Sequence, residues 1–151
     1  MAAAPETFNE VPFGASVTLD DVREGFELFD DWESRYRYVI DLGKDLPHLD
    51  PALQTDDHLI RGCQSQVWLY HRHDKDTNRL FFVVDSDALI VRGLAGIVLS
   101  AFNGTSPQHV LTFDMEGFFA EIDLIGHLSP TRGNGLRAMV AQIRKVASQI
   151  R

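Results

Sequence analysis

The only soft nucleophile in the sequence is Cys63, set in the run Arg61-Gly62-Cys63-Gln64-Ser65-Gln66-Val67-Trp68. A glycine before the thiol opens backbone conformations closed to other residues, so the chain can turn sharply there. Gln64, Ser65 and Gln66 add uncharged donors and acceptors, and Val67-Trp68-Leu69-Tyr70 favours a strand. These types place the thiol on a loop that feeds a strand. Two readings stand at this point. Free cysteine is among the most buried residue types, which makes Cys63 a small apolar filler. Reactive residues concentrate on loops held by rigid elements, which makes it a nucleophile. A nucleophile must act as the thiolate, which a nearby cation or backbone donors favour. Arg61 is close in sequence; an extended backbone brings it to the same face, whereas a turn at Gly62 sends it away.

A single cysteine narrows the chemistry further. It cannot form an internal disulfide, which suits a reducing compartment, and the cytoplasm is the expected location. Iron–sulfur clusters need about four protein ligands, usually cysteines, and a Cys-rich zinc site is excluded in the same way. His71 and His73 alternate along a strand and share a face, but they lack a third ligand, so no metal is expected. A cysteine-dependent hydrolase would need His48, His58, His109 or His127 beside Cys63 and an oxyanion hole, and no local pattern signals either. The net charge of −8 argues against nucleic acid, whose binders carry basic patches. No apolar run reaches the roughly 18 residues of a membrane-spanning helix. Met1-Ala-Ala-Ala-Pro-Glu-Thr lacks the basic start and apolar core of a signal peptide, so no leader is expected.

The elements that must position the thiol follow from periodicity and caps. With 151 residues, the chain fits one domain able to bury about 68–70% of its unfolded surface. Residues 1–17 read as a flexible, extended arm, and 18–151 as a single domain. Thr18 is an N-cap, with Asp20 and Asp21 in the first turn and Leu19, Val22, Phe26 and Phe29 on one stripe. A second helix begins near Asp30 or Asp31, carries Trp32, Tyr36, Val39 and Ile40, and ends at Gly43 as a C-terminal cap. Leu46-Pro47 blocks continuation. Leu59-Ile60-Arg61, Gln66 to His73 and Leu80 to Val84 predict a three-stranded antiparallel sheet, with a polar turn over 74–78. A helix over 88–102 is capped by Ser86 or Asp87, and its Gly93 and Gly96 allow close packing. One helical turn follows Pro107, a short helix spans 116–123, and a last helix runs from Thr131, or from Asn134, to Ile150. Helices packed against a small antiparallel sheet make an α+β domain.

The cysteine run, together with Asp31-Trp32-Glu33-Ser34-Arg35-Tyr36, Leu42-Gly43-Lys44-Asp45-Leu46-Pro47, Asp85-Ser86-Asp87-Ala88-Leu89-Ile90-Val91-Arg92-Gly93-Leu94 and His127-Leu128-Ser129-Pro130-Thr131-Arg132-Gly133-Asn134-Gly135-Leu136, resembles the SufE/CsdE family of sulfur-acceptor proteins. The match runs from about Phe26 to the C-terminus, with its motifs in one order. The resemblance implies a fold like that of the iron–sulfur scaffold protein, with the cysteine at a loop tip. It implies a sulfur carrier that takes persulfide sulfur from a cysteine desulfurase of the SufS or CsdA kind onto Cys63 and stimulates that enzyme. The sulfur would then pass to a downstream scaffold or sulfur-receiving protein for iron–sulfur cluster assembly or related trafficking. The pyridoxal phosphate (PLP) belongs to the partner, and this chain needs no cofactor. Such transfer is thiol exchange with an extra sulfur, and the persulfide formed is a reversible cap. Within the resemblance, Asp87 restrains the cysteine loop, whereas its bland reading is a helix cap. Arg132 serves docking to the desulfurase, whereas its bland reading is solvated charge. Arg61, Gly62, Gln64, Ser65 and Gln66 complete the loop and docking set. The family more often has serine where this chain has Gly133. Two other functions remain open: a regulatory module that stimulates a desulfurase without carrying sulfur, and a cysteine-dependent hydrolase.

Overall fold

The computed structural model describes residues 6–150. Its helices, in chain order, are α1 (Leu19–Leu28), α2 (Trp32–Lys44), α3 (Leu89–Phe102), α4 (Pro107–Thr112), α5 (Met115–Glu121) and α6 (Pro130–Ser148). Strands β1 (Val67–Asp74) and β2 (Arg79–Ser86) lie between α2 and α3 and pair antiparallel, from Val67 opposite Ser86 to Asp74 opposite Arg79. The fold is α+β, as the periodicities predict.

Local chemistry sets the first two helices. Thr18 and Asp21 form a reciprocal capping box at α1, and Asp31 caps α2 by accepting from the Ser34 amide at 2.9 Å. The expected stop at Gly43 is incorrect. Gly43 is buried inside α2, whose C-cap is Asp45. Gly43 is glycine because α2 lies directly on α3: a Cβ there would stand 2.7 Å from the Gly93 backbone nitrogen. Gly93 meets α2 in the same way, since its Cβ would lie 1.9 Å from the Val39 carbonyl oxygen. Gly93→Ala should therefore lower stability by about 2 kcal/mol or more, since overpacking outweighs the roughly 1 kcal/mol gained in helix propensity. Thermal unfolding followed by circular dichroism measures it.

Helix α3 is the centre of the core, with every residue from Arg92 to Phe102 buried. Its N-cap is Ala88, without a side-chain hydrogen bond, so neither Ser86 nor Asp87 caps it as expected. Among the described residues the sheet has two strands, not three. Leu59 makes one bridge to Trp68, and the Ile60 amide donates to the Val67 carbonyl at 2.8 Å. The chain then turns at Gly62, where φ is +92°, before a third strand can lengthen. On the opposite edge, Leu80 exchanges backbone hydrogen bonds with Gly104 and Thr105. Phe82 to Ser86 are consecutively buried, consistent with a strand covered on both faces.

From Phe8 onward, the expected N-terminal arm packs into the core. Phe8, Val11 and Phe13 are buried, the last beneath Gly96 of α3. The buried Asn103 holds this segment to the sheet: its Nδ2 donates to the Phe13 carbonyl at 2.9 Å while its Oδ1 accepts from the Phe82 amide at 2.8 Å. Residues 1–5 of that arm lie outside the described residues.

Candidate functional site

Cys63 sits on the loop between the Leu59 bridge and β1, half-buried against the first turns of α6. Its Sγ–H points to the Gly135 carbonyl at 3.5 Å. Helix α6 starts at Pro130, capped by Ser129, whose Oγ accepts from the Arg132 amide at 3.2 Å. It therefore begins ahead of both Thr131 and Asn134 and runs straight through Gly133 and Gly135. Two glycines so near a helix start cost propensity. Gly135 faces the thiol, and a Cβ there would make ordinary van der Waals contact with Sγ at 3.6 Å.

Thiol, loop and helix enclose a cavity of about 150 Å³. Val91, Leu94, Leu136 and Met139 form its apolar wall, and Gln64, Ser65, Ser129, Thr131 and Arg132 supply polar groups. Val67 and Trp68, the apolar residues next along the chain, belong to the buried part of β1 and are not among the lining residues. Arg132 is exposed and forms no ion pair among the described residues. Arg61 is also exposed and does not line the cavity, so the turn at Gly62 separates it from the thiol. Burial pushes the Cys63 thiol above its ordinary pKa. At neutral pH the resting group is the protonated thiol, which suits a donor resting on a carbonyl.

Asp87 ties down the far end of the loop. Its Oδ1 accepts from the Gln66 amide at 3.1 Å, and its own amide donates to the Gln66 carbonyl at 3.3 Å. This pair extends the β1–β2 ladder one step past Val67 and Ser86. The loop thus runs from a glycine with positive φ to a carboxylate clamp, with the thiol seated between them.

Asp87→Arg should free that clamp. Loss of about 1–2 kcal/mol of restraint would raise the open population roughly five- to thirtyfold, and alkylation of Cys63 by iodoacetamide should accelerate accordingly. The raised pKa adds a pH signature. Because the folded value lies above the unfolded one, the protonated thiol's contribution to stability is complete below the unfolded pKa and is lost as pH rises through the folded pKa. The native alkylation profile should lie at higher pH than that of an unfolded Cys63 peptide. Equal rates and profiles for protein and peptide would remove the sheltered state.

Two further features went unseen in the sequence. Asp85 and Arg92, both at most 2% exposed, form a buried ion pair. Arg92 also donates to the Gly43 and Leu46 carbonyls, while Asp85 accepts from the Leu49 and Ser86 amides at 2.8 Å each. The pair locks the end of β2, the start of α3 and the connection after α2, which fixes where Asp87 stands. The other feature is a stack of Trp32 on His127, with ring centroids 3.9 Å apart, which joins the start of α2 to the turn leading into α6. Among the described residues, no group of three or more His, Cys, Asp or Glu gathers to hold a metal, and no helix is long and apolar enough to cross a membrane.

Residues 20–147 match the family model SufE, described as an Fe-S metabolism associated domain. A SufE-like protein from Rhizobium meliloti (strain 1021), named as uncharacterized, is 43% identical over 132 residues, covering 86% of this chain and 94% of its own length. One from Rhizobium etli, also named as uncharacterized, is 44% identical over 132 residues, covering 86% and 89%. The solution structure of a hypothetical protein from Thermus thermophilus superposes with a TM-score of 0.70 at 19% identity, over 88% of this chain and 95% of that one. That last likeness concerns the fold alone.

Proposed function

The chain belongs to the SufE family, and from that premise we propose that it is a sulfur carrier that accepts persulfide sulfur on Cys63 from a PLP-dependent cysteine desulfurase. It passes the sulfur on to a protein that builds iron–sulfur clusters or otherwise consumes sulfur. The observation that carries this reading is the seating of the lone thiol: a half-buried cysteine on a hinged loop, facing a cavity with room for added sulfur.

The step balances without an external oxidant. The Cys63 thiolate attacks the outer sulfur of the donor persulfide, a new sulfur–sulfur bond forms, the donor's bond breaks, and the electron pair leaves with the donor thiolate. The chain's part is to deliver and shelter the sulfur. In the free protein the thiol is protonated and half-buried, so the exchange waits for a partner that draws the loop out and deprotonates it. Gly62 is the hinge and Asp87 the latch. The PLP stays with the desulfurase, and the lone cysteine suits work in the reducing cytoplasm.

Arg132 is the charge offered to the desulfurase at the cavity rim, beside the sulfur to be transferred. Truncating an arginine at an interface costs about 1–2 kcal/mol or more, a five- to thirtyfold change. Arg132→Ala should raise the carrier concentration needed for half-maximal stimulation of cysteine turnover by that factor. Its melting temperature should stay near wild type, since no ion pair among the described residues is broken. Unchanged stimulation at limiting carrier would reduce Arg132 to solvated charge.

A further inference from the structure

The cavity is larger than one sulfur requires. A single added sulfur takes space of the order of a water molecule, about 30 Å³, and a cavity near 150 Å³ can accept a molecule as large as benzene. Resting on the carrier reading, we infer that Cys63 carries a short polysulfide, two or more sulfurs long, and that the α6 cavity is the receptacle for the chain.

The distribution of polarity along the cavity matches such a chain. Its inner sulfurs are neutral and polarizable, suited to the wall of Val91, Leu94, Leu136 and Met139. Its terminal sulfur is acidic and anionic at neutral pH. A single persulfide would place that charge close to the Gly135 carbonyl, at a depth where burial already disfavours the Cys63 thiolate. Each further sulfur lengthens the chain by up to about 2 Å. A longer chain therefore moves the charge from the carbonyl toward the rim, where exposed Arg132 and the hydroxyls of Ser129 and Thr131 stand. Apolar floor, cationic rim and spare length favour the extended form.

Extension repeats the loading step. The terminal sulfur of the Cys63 persulfide attacks the outer sulfur of a fresh donor persulfide; one sulfur–sulfur bond forms, the donor's breaks, and its thiolate leaves with the electron pair. The number of sulfur–sulfur bonds is conserved, and the donor is recharged from cysteine by the desulfurase.

The test is intact mass of wild-type protein after desulfurase turnover with excess cysteine and no reductant, with the chain ends capped by iodoacetamide and the adduct mapped to the Cys63 peptide. Species with two or more added sulfurs are expected, and Val91→Phe, which narrows the cavity, should lose them in favour of singly loaded protein. A second arm loads the same proteins with inorganic polysulfide and needs no partner. Wild type that never carries more than one sulfur in either arm overturns the inference and leaves the carrier function standing. Failure to load from any desulfurase overturns the carrier function, and the polysulfide arm still decides the inference. The same multiply loaded fraction in folded Val91→Phe as in wild type would also overturn it.

Discussion

Arg92→Ala should lower the stability of the fold by about 3–5 kcal/mol, the usual consequence of removing one partner from a buried ion pair. In a chain of this size that is a fall of roughly 6–20 °C in melting temperature, and a large fraction of the whole stability of an ordinary domain. The magnitude follows from what is left behind. Asp85 would keep its two backbone donors but lose the cation beside it, in a site only 1% exposed. The Gly43 and Leu46 carbonyls would lose a donor as well. Arg92→Lys should recover only part of the loss, because one ammonium cannot reproduce a guanidinium that serves a carboxylate and two carbonyls through separate nitrogens. Breaking the exposed Arg37–Glu33 pair, with both side chains more than 70% exposed, should cost no more than about 0.5 kcal/mol. Urea unfolding of the three variants measures all of this. An Arg92→Ala loss below that of the surface pair would deny the network its structural role. Because the network sets the position of Asp87, Arg92→Ala should also speed alkylation of Cys63 before global unfolding.

The second large effect is chemical. Cys63→Ser should abolish sulfur uptake while leaving the fold within about 1 kcal/mol of wild type. The serine hydroxyl can still donate to the Gly135 carbonyl, and the change in volume at a half-buried site is small. What is lost is the polarizable nucleophile, for which a hydroxyl at neutral pH is no substitute. The carrier reading therefore predicts that Cys63→Ser no longer raises cysteine turnover under conditions where sulfur removal limits the desulfurase. A purely regulatory module would keep its stimulation. A cysteine-dependent hydrolase would lose an activity that never needed the desulfurase.

What the sequence made legible was mostly local. The Thr18–Asp21 box and the Asp31 cap bring together residues three apart, so composition and spacing were enough to place the starts of α1 and α2. The thiol on a turning loop was legible from Gly62 for the same reason. What failed depended on partners distant in sequence. Gly43 resembled a helix end because the α3 backbone it lies against is some fifty positions away. Leu59 to Arg61 resembled a strand, but the turn at Gly62 leaves room for a single bridge. Phe13 fell in the stretch read as a flexible arm because Asn103 and Gly96, which hold and receive it, have no local signature. The wall of the thiol cavity was hidden in the same way. The periodicity of α6 announces that Leu136 and Met139 are buried, not that they face Cys63. The glycines at 133 and 135, costly in a helix, gave no pointer either, since a Cβ at Gly133 would come no nearer than 4.0 Å to Ile125 and one at Gly135 would make only ordinary contact with the thiol. Asp85 carries no local sign of its partner, and only the folded chain shows it paired with Arg92.

The most direct measurement is the non-reducing intact mass of the protein after turnover of a cognate cysteine desulfurase with cysteine. A sulfur carrier should show added sulfur that dithiothreitol removes, that maps to the Cys63 peptide, and that is absent from Cys63→Ser. A protein that stimulates the desulfurase yet shows no sulfur on Cys63 would contradict it.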